Sequence, residues 1–164
     1  MTKDEYYDFA TQAYQPALTM IGMAPADKLD WRPAPNFMSL GQLICHLSDH
    51  SRLGDGLRLL VTGNWPTMEE EMAEGMKLEN LPACTVAEAV AKLEKDQATL
   101  REVLAGLSAE DFAQKVVTVP WGVQGKLEKM ALYFREHFTN NKQQLFTYLK
   151  LLGLPVDTST LYGG

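Results

Sequence analysis

Residues 126–153 read KLEKMALYFREHFTNNKQQLFTYLKLLG. Within them Leu127, Met130, Phe134, His137, Asn141, Leu145, Tyr148 and Leu152 recur at steps of three and four. That spacing lines one face of an α-helix. Gly153 can adopt the left-handed conformation that ends a helix, and Pro155 prevents continuation. The stretch therefore predicts one long helix from about Lys126 to Leu152. Two positions on its apolar stripe are polar: His137 and Asn141, one turn apart.

Outward from that helix, three more amphipathic segments are separated by Pro/Gly-rich breaks. The first spans about Lys3 to Ile21, with Tyr6, Ala10, Ala13, Ala17 and Met20 on one face. It stops before MAPADKLDWRPAPNFM, whose three prolines forbid a continuous helix. The second opens at Ser39, where Ser39-Leu40-Gly41-Gln42 matches a capping box. Its stripe is Leu43, His46, His50, Leu53, Leu57 and Leu60, and it fades near Thr62. Gly54 and Gly56 weaken its later turns by adding backbone freedom. The third opens at Thr85 with the box Thr85-Val86-Ala87-Glu88 and carries Val86, Val90, Leu93, Leu100, Leu104 and Leu107, interrupted by Gln97. Between the second and third, an acidic stretch suggests a short helix over residues 67–75. Its Glu69–Glu71 run is a solvated face or a pocket rim. After the third, Ser108 to Asp111 suggests a single helical turn, and KVVTVP from Lys115 a short extended segment.

Four such helices, each with one apolar face, pack best around a shared core. The expected fold is all-α: a single-domain four-helix bundle over residues 1–164, with long crossover loops and a short extended segment before the last helix. The 164 residues, 46% hydrophobic and 22% charged, suit one globular domain. A formal net charge of -6 with no Lys/Arg stripe argues against nucleic acid and against an anionic membrane surface. No stretch approaches the ~20 apolar residues of a spanning helix. The N-terminal MTKDEYYDFATQAY lacks the pattern of a secretion signal, so a cytoplasmic location is expected. Cys45 and Cys84, far apart and in no CxxC pattern, read as two free thiols. Trp31 and Trp121 stand in connecting loops, where they plug the bundle ends or line a pocket.

All three histidines of the chain fall on two apolar stripes. His46 and His50 are one turn apart on the second helix; His137 and Asn141 are one turn apart on the fourth. Buried polar groups cost roughly 1–3 kcal/mol each unless paired, so two helices carrying them tend to bring them together or to a ligand. Two readings follow. The histidines are hydrogen-bonded core residues, with His50 a boundary residue, or they form a metal site between helices, since neutral imidazole is a common ligand of Zn, Ni and Fe. HxxxH alone is a weak pattern and lacks the glutamate base of HExxH. Cys45 lies about 100° around the helix from His46, away from that face. Asp49 is a surface charge or a carboxylate that orients a histidine.

LDWRPAP…SLGQLICHL, from Leu29 to Leu47, resembles the loop and second helix of the DinB/YfiT-like superfamily. PWG…REHFTNNKQQLFTYLKLLGLP, from Pro120 to Pro155, resembles its last helix, where members often read EHxxHHRGQLxxYLRLLG. The resemblance implies a four-helix bundle with a three-histidine metal site. Its ligands would fall on His46, His137 and Asn141. Here Asn140 and Asn141 replace histidines, and Lys142-Gln143 replaces Arg-Gly. An amide oxygen is a poor ligand for borderline-soft metals. Two outcomes follow: His50 supplies a third imidazole, or the metal is lost and a polar cavity for an organic ligand survives. The class implied is a metal-dependent hydrolase or a transferase using low-molecular-weight thiols such as bacillithiol, mycothiol or glutathione, with Zn or Ni as cofactor, an unknown small-molecule substrate and a homodimeric assembly.

Overall fold

The computed structural model describes residues 1–49, 52–66 and 77–163. His50, the helix expected over residues 67–75 and the Glu69–Glu71 run lie outside the described residues. The helices are α1 (Lys3–Thr11), α2 (Tyr14–Met23), α3 (Leu40–Asp49), α4 (Leu53–Thr62), α5 (Val86–Gly106), α6 (Ala109–Gln114), α7 (Leu127–Leu151) and α8 (Thr158–Tyr162). Among the described residues the only strands are β1 (Val116–Thr118) and β2 (Gln124–Lys126), an antiparallel hairpin with Val117 opposite Gly125. The four arms of an all-α bundle are α1–α2, α3–α4, α5 and α7. Helix α5 packs against α2, α3 and α4, and α7 packs against the same three from the other side.

The first arm is two helices, not one. Pro16 has no N–H to offer the carbonyl of Gln12, and its ring crowds that carbonyl. Helix α1 therefore ends at Thr11 and α2 restarts at Tyr14. The buried face survives the break: Tyr6, Ala10, Ala13, Ala17 and Met20 are all buried.

The second arm is also interrupted, at Arg52, whose extended backbone (φ -61°, ψ 134°) precedes α4, and a residue on another helix accounts for it. Asp96 of α5, 2% exposed, reaches the N-terminus of α4. Its carboxylate accepts from the backbone N–H of Leu53 (2.9 Å), Gly54 (3.1 Å) and Asp55 (2.8 Å), and from Tyr14 Oη (2.6 Å). The first amides of a helix have no partner within it, so a carboxylate there satisfies them and complements the helix dipole. Burial lifts the Asp96 carboxyl above its ordinary range, and hydrogen bonds from Tyr14 and the α4 amides pull it part of the way back. Burial, together with the Asp96 charge, keeps the Tyr14 phenol protonated, so it donates.

The glycines expected to loosen this arm instead allow close approach. A Cβ on Gly54 would overlap the Asp96 carbonyl oxygen and lie 2.6 Å from the Leu100 amide nitrogen. A Cβ on Gly56 would overlap the Phe134 ring.

The expected face of α5 shifts slightly. Ala89, Leu93, Asp96, Leu100 and Leu104 are buried, while Val86, Val90 and Leu107 flank the core half-buried. Both α5 and α1 open with complete capping boxes, at Thr85/Glu88 and Thr2/Glu5. The extended segment is real but has a partner that the residue pattern did not reveal: Gly122, at φ +84°, turns the chain back through β2. Helix α8 is likewise additional, capped by Asp157 and tied down by Lys142 Nζ donating to the Leu161 carbonyl (2.8 Å).

The expectation of two free thiols is corrected. Cys45 and Cys84 are disulfide-bonded, with Cα atoms 4.9 Å apart. Their separation of 39 residues hides the proximity, which comes from the chain ahead of α5 lying across α3. Gln42 Nε2 donates to the carbonyls of Leu78 (2.8 Å) and Leu81 (3.0 Å), and the Cys84 amide donates to the Gly41 carbonyl (3.1 Å). No helix among the described residues is long and apolar enough to cross a membrane.

Candidate functional site between the second and fourth arms

Helix α3 carries His46 and α7 carries His137, and their imidazole rings meet edge to face with centres 5.6 Å apart. His46 is half-buried and His137 is exposed. His137 is open to solvent, while His46 Nδ1 is buried beneath it, so a ligand reaches the pair by way of His137. Asn141 is buried one turn on, and its Nδ2 donates to the carbonyl of His137 at 3.0 Å. The structure thus brings His46 and His137 together, with Asn141 one turn along α7 and its amide bonded to its own helix; His50 falls outside the described residues.

His137 forms part of the wall of a cleft of about 500 Å³ that also includes Trp65, Trp121 and Phe134. The Trp65 ring meets Trp121 edge-on at 5.7 Å and stacks on Phe134 at 6.2 Å. These rings form one continuous aromatic wall. A second opening of about 490 Å³ shares Trp121, Phe134 and His137 and adds Met130, Tyr133 and Asn140. Trp121, 54% exposed, is therefore a cleft residue and not a plug. Trp31 keeps the other role, packing edge-on against Tyr148 at 5.7 Å.

The cleft's far rim is charged. Arg52 pairs with Asp55 and with Asp49 (3.2 Å), Arg58 pairs with Asp55 (2.7 Å), and Lys92 pairs with Asp49 (2.7 Å). The sequence reading passed over this rim, although a signal exists in it. Asp49, Arg52, Asp55 and Arg58 alternate in sign at every third position, the pattern of ion pairs along one helical face. Trp65 was also missed, because it follows the helix and belongs to no periodic stripe.

A helical bundle with an imidazole pair between its second and fourth arms, opening on an aromatic cleft, defines the class of this protein. The model of the DinB superfamily matches residues 7–141, and the chain belongs to that superfamily. The fold agrees with the 1.70 Å crystal structure of a candidate member of the DinB family from Exiguobacterium sibiricum 255-15. The two share 19% identity over 98% of each chain, with a TM-score of 0.69. No curated protein matches the chain.

Proposed function

We propose that this protein is a metal-dependent transferase or hydrolase acting on a small molecule, with its reaction centre at His46 and His137. The observation that carries this reading is the meeting of two imidazoles from separate helices, 5.6 Å apart, beside an aromatic cleft. His46 and His137 would hold a divalent transition ion, Zn or Ni, and His50 or Asn141 would complete or flank its shell. Such an ion, when bound, lowers the pKa of a water or thiol and makes a nucleophile at neutral pH. The chain's own residues supply the rest. Trp65, Trp121 and Phe134 take the apolar body of the substrate and exclude water, and the guanidinium of Arg58 stands at the rim to meet a negative group.

Two imidazoles suit a borderline-soft ion, but the third family position does not, since an amide is a weak neutral ligand. The Asn141 amide also donates to its own helix. That bond favours a second reading, in which the cleft binds a small organic molecule without metal.

Metal analysis of freshly purified protein, followed by Zn and Ni titration at neutral pH, separates the two. The first reading expects near-stoichiometric binding that is lost in His46→Ala and in His137→Ala. No binding of either ion sinks it and leaves the metal-free cleft.

A further inference from the structure

The surroundings of Cys45 and Cys84 differ from those of an inert crosslink. Lys92 Nζ lies 3.5 Å from Cys84 Sγ and 3.8 Å from Cys45 Sγ. Asp49 holds the same ammonium at 2.7 Å. A closed disulfide is uncharged and gains little from a cation. A thiolate gains a great deal, because a neighbouring ammonium stabilises its charge and promotes its formation. The lysine is thus placed to serve the open form of the pair. The pair lies near the surface: Cys84 is 6% exposed and Cys45 1%, the residues just ahead of Cys84, Pro82 and Ala83, are exposed, and the Lys92 side chain is 38% exposed.

We infer that Cys45 and Cys84 form a redox-active pair that exchanges with low-molecular-weight thiols and disulfides, with Cys84 as the reacting sulphur and Lys92 setting its reactivity. Cys84 is the more exposed residue of the two, and its sulphur is the nearer to the ammonium. In the closing direction, the Cys84 thiolate attacks one sulphur of a disulfide RSSR. The S–S bond breaks, RS⁻ leaves, and Cys84–S–S–R forms. Cys45 then attacks Cys84 Sγ and expels the second RS⁻, which takes the Cys45 proton, while the first RS⁻ takes from solvent the proton that Cys84 released on ionising. Overall the two protein thiols are oxidised, RSSR is reduced to two thiols, and two electrons and two protons change hands. The closed bond ties the chain ahead of α5 to the residue preceding His46; among the described residues, the open pair leaves the hydrogen bonds of Gln42 and the Cys84 amide to hold it. This inference concerns the sulphurs alone and stands or falls separately from metal binding.

The test equilibrates the wild-type protein across a series of reduced-to-oxidised glutathione ratios. Samples are quenched in acid, alkylated and weighed as intact chains. One transition between a doubly alkylated and an unalkylated form, with unchanged helical circular dichroism, is the expected result. In the reduced protein, iodoacetamide should label Cys84 before Cys45. Lys92→Gln should slow that labelling about three- to tenfold, from a smaller thiolate fraction, while Lys92→Arg keeps a rate near wild type. A pair that stays fully open or fully closed across the series overturns the inference, as does a labelling rate indifferent to Lys92→Gln or faster at Cys45. The wild-type measurements need no variant to fold.

Discussion

Two polar clusters border the second arm of this bundle, and they are built to opposite specifications. At the start of α4, Asp96 is buried and accepts four hydrogen bonds, three from backbone amides and one from Tyr14. At α3, His46 meets His137 at 5.6 Å beside an open cleft, one ring half-buried and the other exposed. The first cluster spends its hydrogen-bonding capacity inside the protein and has nothing to offer a ligand. The second leaves His137 open to solvent on the aromatic wall of a cleft. Burial of a polar group does not by itself mark a functional site; what matters is whether its capacity is directed inward or toward a cavity. The contrast assigns Asp96 to architecture and leaves the imidazole pair as the candidate for chemistry proposed above.

The largest expected effect falls on the architectural side. Asp96→Ala leaves three amides and a phenol facing a hole, and should cost roughly 3–5 kcal/mol, since each orphaned buried group costs ~1–3 kcal/mol and the site relaxes only in part. For a domain of this size that is roughly a 10 °C fall in melting temperature. Tyr14→Phe removes one of the four donors and should cost only about 1 kcal/mol. If Asp96→Ala melted like wild type, the account of the α3–α4 break would fail. Gly56→Ala comes next. The added methyl must displace the Phe134 ring, at ~1–3 kcal/mol for overpacking. Because Phe134 lines the cleft, this variant should also weaken binding of any aromatic ligand found for it, as calorimetry would report.

On the chemical side the order reverses: stability barely moves and binding does. His46→Ala and His137→Ala should each change stability by less than about 1 kcal/mol, as expected of partly exposed positions. Each should lower Zn or Ni affinity about tenfold or more, a loss of ~1.4 kcal/mol of binding free energy. Asn141→His, which restores the third imidazole of the family pattern, should raise that affinity by a comparable factor. An unchanged affinity in Asn141→His would mean that position 141 does not face the ion. Isothermal titration with melting curves of the same preparations measures both halves of the contrast.

The same contrast explains what the sequence disclosed. The stripe on α7 was legible at Leu127, Met130, Asn141, Leu145 and Tyr148, all buried, but not at its middle, where His137 is exposed and Phe138 is buried instead; the helix ends within a residue of where Gly153 and Pro155 stop it. The imidazole pair was legible because both histidines sit on stripes of helices that face each other, although His137 lies at the exposed edge of its stripe and not in the core. Asp96 was not. On its own helix it is an acidic residue among acidic and basic neighbours, and its role exists only once α4 presents bare amides to it. Gly54 and Gly56 were misjudged for a related reason: their local effect on a helix is unfavourable, while their value lies in what another helix places against them. The Cys45–Cys84 bond and the β2 strand likewise depend on contacts that no periodicity encodes.

The smallest expected effect concerns acid, and it sharpens the comparison between two carboxylates that both serve helix N-termini. Glu88 caps α5 in full solvent, and its hydrogen bonds from Thr85 hold it below its ordinary value of 4.5. The folded state therefore binds its proton less tightly than the unfolded chain. Its stabilising contribution is complete above pH 4.5 and is lost as pH falls through the lowered value. Asp96 runs the other way. Burial raises it above its ordinary 3.8, so its titration favours the fold most at pH below 3.8, and that part declines as pH rises through the raised value. Urea midpoints measured from pH 7 to pH 3 should consequently fall less steeply in Glu88→Gln than in wild type. In Asp96→Asn, beneath an overall loss of stability, they should fall more steeply, because a contribution of opposite slope has been removed. Parallel curves for all three proteins would mean that the two carboxylates titrate alike in the folded and unfolded chains, and the distinction drawn between an exposed cap and a buried one would lose its electrostatic basis.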